Sequence, residues 1–157
     1  MAYPVLLIAY AFVKKGIEEG KFVTQMKLQK LVYFAQGYHL ARFGTSLLKE
    51  NFEAWTYGPV VPEIYQGFKL YGSKFITDTA GFLPTTDDIN ISRLDEKASE
   101  AINYTWEVLK DYEAMSLSNW THQPNSPWSK AYDPDQKSTP IPNEEIKKYF
   151  TDLLIRH

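Results

Sequence analysis

The stretch between Thr24 and Gly44 constrains this chain more than any other. Thr24 is a side-chain cap, Gly44 a stop, and the residues between them carry no proline. Plotted at 100° per residue, Leu28, Leu31, Val32 and Ala35 fall on one face, while Tyr33, Phe34, Leu40 and Ala41 spread over much of the other. A helix apolar on so much of its circumference has to be surrounded, which predicts a central helix with other elements packed around it. Gln29 and Gln36, seven residues apart, share one line of this helix. Their amides are costly if buried without partners, so they are expected to hydrogen-bond to a neighbouring backbone.

The remaining signals place further helices around that one. Pro4 opens a helix from Val5 to Glu19, ended by Gly20. Asn51 to Tyr57 alternates as a short strand, with Phe52, Ala54 and Thr56 on one face and Glu53, Trp55 and Tyr57 on the other; Gly58-Pro59 is expected to break it. Val61, Ile64, Tyr65 and Phe68 recur at helical spacing behind Pro62, and Gly72 closes that helix. Ser73 to Ile91 reads as loop, with Phe75-Ile76 as a brief second strand or an anchor. Ser92 with Asp95 resembles a capping box opening a helix to about Tyr112, with Leu94, Ala98, Ile102 and Leu109 inward. A short helix carries Leu117 and Trp120, one turn carries Pro127-Trp128, and Asn143 caps a last helix through Tyr149, Phe150, Leu153 and Leu154. The expected fold is therefore mainly α, a single compact helical domain over residues 1–157 with a small antiparallel β element.

Composition excludes several classes. The chain has 157 residues, long enough to bury roughly 70% of its extended surface in one core. It has no cysteine, so disulfide scaffolds, thiol catalysis and cysteine zinc sites are out, in keeping with a cytoplasmic protein. With 17 basic and 19 acidic residues it lacks the basic excess that binding to a phosphate backbone calls for. The apolar run Val5–Val13 has no basic segment before it and is followed by Lys14-Lys15, so it reads as a core helix and not as a secretion signal. No apolar run reaches the length of a membrane span.

Three ordered blocks then carry a resemblance. Lys27-Leu28-Gln29-Lys30-Leu31-Val32-Tyr33-Phe34-Ala35-Gln36 comes first, followed by Trp55-Thr56-Tyr57-Gly58-Pro59-Val60-Val61-Pro62 with Tyr65. Leu117-Ser118 leading to Thr121-His122 and Pro127-Trp128 completes the series. Together they resemble the Panacea, or SocA-like, antitoxin family of phage-associated proteins. The resemblance implies a mostly helical cytoplasmic protein that neutralises a toxin encoded beside it. It would act by direct protein contact or as an adaptor that hands the toxin to a protease, with no enzymatic activity, cofactor, membrane or nucleic acid involved.

Candidate site residues follow from weighing chemistry against packing. His39 and His122 lack the further donors that zinc requires. Serines, His122 and Asp133 are present without a Gly-x-Ser-x-Gly elbow. Asp87-Asp88 and Asp133-Pro134-Asp135 could hold a divalent cation but read more simply as solvated turns. Lys27, Lys30 and Arg42 read as a solvated rim of the central helix, the alternative being a nucleic-acid patch. Gly58-Pro59 stiffens a corner whose rings either cover the central helix or present amphipathic surface to a partner; on the second reading Trp55, Tyr57, Pro62, Tyr65 and His122 are the partner-binding residues. Two rival readings remain at this point: a small metal-assisted hydrolase centred on His122, and a DNA-binding regulator of its own operon.

Overall fold

The computed structural model describes residues 2–82, 90–136 and 138–156. Seven α-helices and a three-stranded antiparallel sheet make up these residues, so the fold is mainly α as expected. The helices are α1 (Val5–Glu19), α2 (Gln25–Phe43), α3 (Pro62–Gly67), α4 (Glu96–Leu109), α5 (Ala114–Thr121), α6 (Pro127–Ala131) and α7 (Asn143–Arg156). The strands are β1 (Phe52–Trp55), β2 (Gly58–Val60) and β3 (Thr139–Ile141), in the order β2-β1-β3. None of the described helices is long and apolar enough to cross a membrane.

Helix α2 is the axis of the molecule. The Thr24 side chain accepts from the Lys27 N–H at one end, and Gly44 takes φ +78° at the other. It packs against α1, α3, α4, α5, α7 and β2, and Leu28, Leu31, Val32, Tyr33 and Ala35 are fully buried. Both glutamine expectations hold. The Gln36 carbonyl accepts from the backbone N–H groups of Leu47 and Leu48, and its amide donates to Ser46 Oγ and Asn143 Oδ1. Gly37 lets α7 approach: a methyl group there would collide with the Phe150 ring. Helix α1 is a core element, with Leu7, Ile8, Ala9 and Phe12 wholly buried.

Several boundaries differ from expectation. The helix behind Pro62 ends at Gly67, a separate 3-10 turn, Lys69–Tyr71, leads to Gly72, and the first strand narrows to Phe52–Trp55. Gly58-Pro59 does not break the strand but forms β2, which pairs Trp55 with Gly58 and Ala54 with Pro59 across a two-residue connection, Thr56-Tyr57. Neither connecting residue has a positive φ; the twist of the hairpin falls on Gly58, at φ +121°. Asp95, not Ser92, caps α4: its carboxylate accepts from the Ala98 N–H, and Ser92 sits in a separate 3-10 turn, Ile91–Arg93, with Leu94 just after it. That helix ends at Leu109, short of Tyr112. Asn143 is the first residue of α7, where the Pro142 carbonyl accepts from Glu145 and Ile146, leaving the Asn143 side chain to Gln36. Ile76 forms a single bridge with Val23, and Phe75 is exposed.

Candidate functional site

The hairpin β1–β2 is fastened through its main-chain oxygens. The Trp55 carbonyl accepts from Trp128 Nε1 at 2.7 Å, the Thr56 carbonyl lies 3.1 Å from His122 Nε2, and the Tyr57 carbonyl accepts from Ser118 Oγ at 2.9 Å. On the far side, Lys30 Nζ is 3.4 Å from the Pro59 carbonyl. Gln29 makes two bonds to Val61, accepting from its N–H at 3.0 Å and donating to its carbonyl at 3.2 Å. Side chains of α2 thus take the role of a further strand along the outer edge of β2, satisfying groups an edge strand would otherwise leave open.

Local sequence explains how the fastening groups arrive together. Ser118 and His122 stand four residues apart, hence on one face of α5 and its cap. Asn125, at φ +67°, turns the chain, and Ser126 caps α6 by accepting from the Ser129 N–H, which brings Trp128 back over the hairpin. The His122 ring lies 3.9 Å, centroid to centroid, from that of Trp128. Its Nδ1 faces the Ser118 carbonyl at 2.5 Å, so both ring nitrogens are occupied by backbone oxygens. His39 is likewise tied, through Nδ1, to the Thr45 carbonyl. Among the described residues, no three His, Asp or Glu side chains cluster as metal ligands would. Asp133 accepts from the Asp135 N–H within an exposed turn, and Asp87-Asp88 lie outside the described residues.

Lys30 corrects the expectation of a solvated rim. It is 1% exposed and takes part in none of the ion pairs among the described residues. Burial without a counter-charge pulls its ammonium down from 10.5 to about 8. Its aliphatic stem passes so close beneath Gly58 that a Cβ there would meet Lys30 Cε at 2.8 Å and Thr121 Oγ1 at 2.9 Å, which with the positive φ makes glycine mandatory. The other two cations do not form a patch either. Lys27 Nζ donates to the Lys110 carbonyl, and exposed Arg42 pairs with Glu100 at 3.5 Å.

Beside the hairpin lies a cavity of about 550 Å³ whose lining includes Gln25, Lys30, Trp55, Tyr57, Tyr65 and Lys69 and, among the described residues, no Asp or Glu. The Trp55 and Tyr65 rings are 6.2 Å apart, while Tyr57 is 65% and Tyr65 49% exposed. Three of the five predicted residues therefore share one wall. Pro62, half-buried, opens α3 outside that lining, and His122 fastens the turn from behind. Sequence reasoning missed Gln25 and Lys30 in this lining, and Ser118 among the fastenings. The signal for Lys30 was a cation beside Gln29 and Leu31 in the middle of a helix expected to be surrounded.

A second cavity, about 430 Å³, runs between α2, α4, α5 and α7 and is lined by Tyr33, Phe34, Tyr104, Val108, Trp120 and Leu153 among others. Tyr104, Val108 and Trp120 are each nearly half exposed. The buried Tyr33 hydroxyl has no hydrogen-bond partner among the described residues, and burial raises its pKa above the ordinary phenol value.

These features define a helical scaffold whose own side chains hold a surface hairpin in one conformation. The chain belongs to the family described as Antitoxin SocA-like, Panacea domain, which matches residues 28–129. It is 31% identical over 109 residues to Antitoxin SocA from Caulobacter vibrioides (strain NA1000 / CB15N). That alignment covers 68% of this chain and 58% of the relative, so the chain spans less than two thirds of that protein's length. No solved structure matches the chain.

Proposed function

We propose that this chain is a cytoplasmic antitoxin, acting as one domain over residues 1–157, that binds and silences a toxin encoded nearby without chemistry of its own. The contact surface is the hairpin corner, where Trp55, Tyr57 and Tyr65 meet the partner, and Pro62 and His122 keep that corner in place. Neutralisation follows either from occlusion of the toxin or from its delivery to a protease; both need the same contact.

One observation carries this reading. The matched segment, residues 28–129, contains the hairpin and the four side chains that fasten it at 3.2 Å or less: Gln29, Ser118, His122 and Trp128. The part of the chain shared with antitoxins is thus the part that immobilises an exposed aromatic turn, and a preformed aromatic surface binds with little loss of conformational freedom.

Expression of the neighbouring open reading frame with and without this chain tests the proposal. Growth arrest by the neighbour alone, relieved by co-expression, supports it. A neighbour that is harmless alone, or lethal in the presence of soluble chain, refutes it. Following the neighbour's half-life during rescue separates the two routes: a stable, silent toxin indicates occlusion, and a rapidly disappearing one indicates delivery to a protease.

A further inference from the structure

The cavity beside the hairpin carries a charge arrangement that nothing within the chain explains. Lys30 is a wholly buried ammonium with three donors, and its one hydrogen bond among the described residues is a long contact to the Pro59 carbonyl. A buried cation without a counter-charge is costly, and an apolar residue of similar length would fill the same space. Lys69 lines the same cavity, and among the described residues its lining holds no Asp or Glu, so the two charges add. Gln25 supplies the complementary feature: its amide donates to the Phe68 carbonyl, while its own carbonyl oxygen is buried and has no partner among the described residues. An unmet cation and an unmet acceptor thus sit in one pocket walled by Trp55, Tyr57 and Tyr65.

We infer that this cavity receives an acidic side chain of a partner polypeptide, its carboxylate on Lys30, a main-chain N–H of the same segment on Gln25 Oε1, and an adjacent bulky apolar residue between the aromatic walls. Charge complementarity selects this occupant. The volume, about 550 Å³, holds more than a lone carboxylate and lies in the range of ordinary ligand sites. The chain has no glycine-rich phosphate loop, and the aromatic walls suit a carboxylate carried on a peptide better than a phosphate, a difference that competition by acetate and phosphate distinguishes. That the partner is a toxin rests on the antitoxin reading; the chemistry of the occupant does not.

The test is selection from a random-peptide display library on the full-length chain, with Lys30→Met, Lys30→Gln and Lys69→Gln variants as counter-targets. Selected peptides are expected to carry Asp or Glu beside a bulky apolar residue. They should bind Lys30→Met and Lys30→Gln at least ten-fold more weakly than the unaltered chain, and Lys69→Gln about two- to three-fold more weakly. Sodium acetate should compete with them better than inorganic phosphate. Lys30→Met should melt no lower than the unaltered chain, since a structural lysine would make it melt lower. Peptides without acidic residues, equal affinity for both Lys30 variants, stronger competition by phosphate, or a lowered melting temperature for Lys30→Met would each overturn the inference. Co-expression with the neighbouring gene keeps the two readings apart. If the chain protects and a soluble Lys30→Met protects equally well, this inference fails and the antitoxin reading survives. If the unaltered chain does not protect but acidic peptides are still selected, the reverse holds.

Discussion

Gln29 and Val61 are joined by the same two bonds that neighbouring strands would exchange, at 3.0 and 3.2 Å, across 32 residues of sequence. A side-chain amide on the central helix stands in for a strand and holds the exit of the hairpin at a fixed distance from α2. Replacing Gln29 by Leu keeps the volume but leaves the Val61 N–H without a partner, while the Val61 carbonyl keeps the Ile64 N–H at 3.0 Å. A loss of about 1 to 3 kcal/mol is expected in urea unfolding, with faster hydrogen exchange at the Val61 amide. A loss under half a kilocalorie would mean that water replaces the amide.

The central position of α2 gives a second expectation. Leu31 is fully buried, so Leu31→Ala should remove about 2 to 5 kcal/mol, measured by chemical denaturation. A loss below half a kilocalorie would place that face of the helix at the surface.

Gly37→Ala sets two effects against each other. Alanine favours the helix by about 1 kcal/mol, but its methyl group would overlap the Phe150 ring on α7. The overlap is with the body of a packed ring, so overpacking wins, and a net loss of about 1 to 3 kcal/mol is expected. Phe150→Leu in the same chain should lose less than the sum of the two single variants, a coupling read from a double-mutant cycle.

Lys30 makes stability depend on pH in an unusual direction. Its ammonium titrates near 8 in the folded chain and near 10.5 when unfolded, so between these values the unfolded chain holds the extra proton. Stability therefore rises with pH across that window, by up to about 3 kcal/mol when the window is complete. Denaturant titrations of the unaltered chain and Lys30→Met from pH 7 to 9.5 isolate this contribution: the difference between them should move in favour of lysine as pH increases.

On the proposed contact surface, Tyr57 is the position where recognition and folding can be separated. Its ring is largely exposed and only its carbonyl is fastened, so Tyr57→Ala should change stability by less than about 0.5 kcal/mol. Protection against the toxin should fall at least ten-fold, judged from the amount of chain needed to restore growth. Full protection by this variant would remove Tyr57 from the contact surface.

The helices were legible where local chemistry marks their ends. Thr24, Gly20 and Gly44 act through their own backbone and side chains, and α1 and α2 begin and end where those residues say. The elements that depend on distant partners were not. β3 is three residues with proline in the middle, and only its pairing with β1 makes it a strand. Gly58-Pro59 has the composition of a break and becomes a strand because α2, α5 and α6 hold the chain on either side. Ser92 and Asp95 are equally good caps by type; the Asp95 N–H donates to the Tyr3 hydroxyl, 92 residues away, which fixes Asp95 at the helix start. Lys30 is the clearest case. A helical wheel sorts residues by type, and the turn that covers this lysine arrives only with Pro59. Three aromatic residues of the candidate site were readable as a rigid corner, but the charge behind them was not.

All the fastenings of the turn itself end on carbonyl oxygen, an atom that every amino acid carries. Exchanging Thr56 or Tyr57 for another residue leaves each of those bonds its acceptor, so the tip can be rewritten without loosening the frame beneath it. Such a frame can be refitted to a new adversary one side chain at a time.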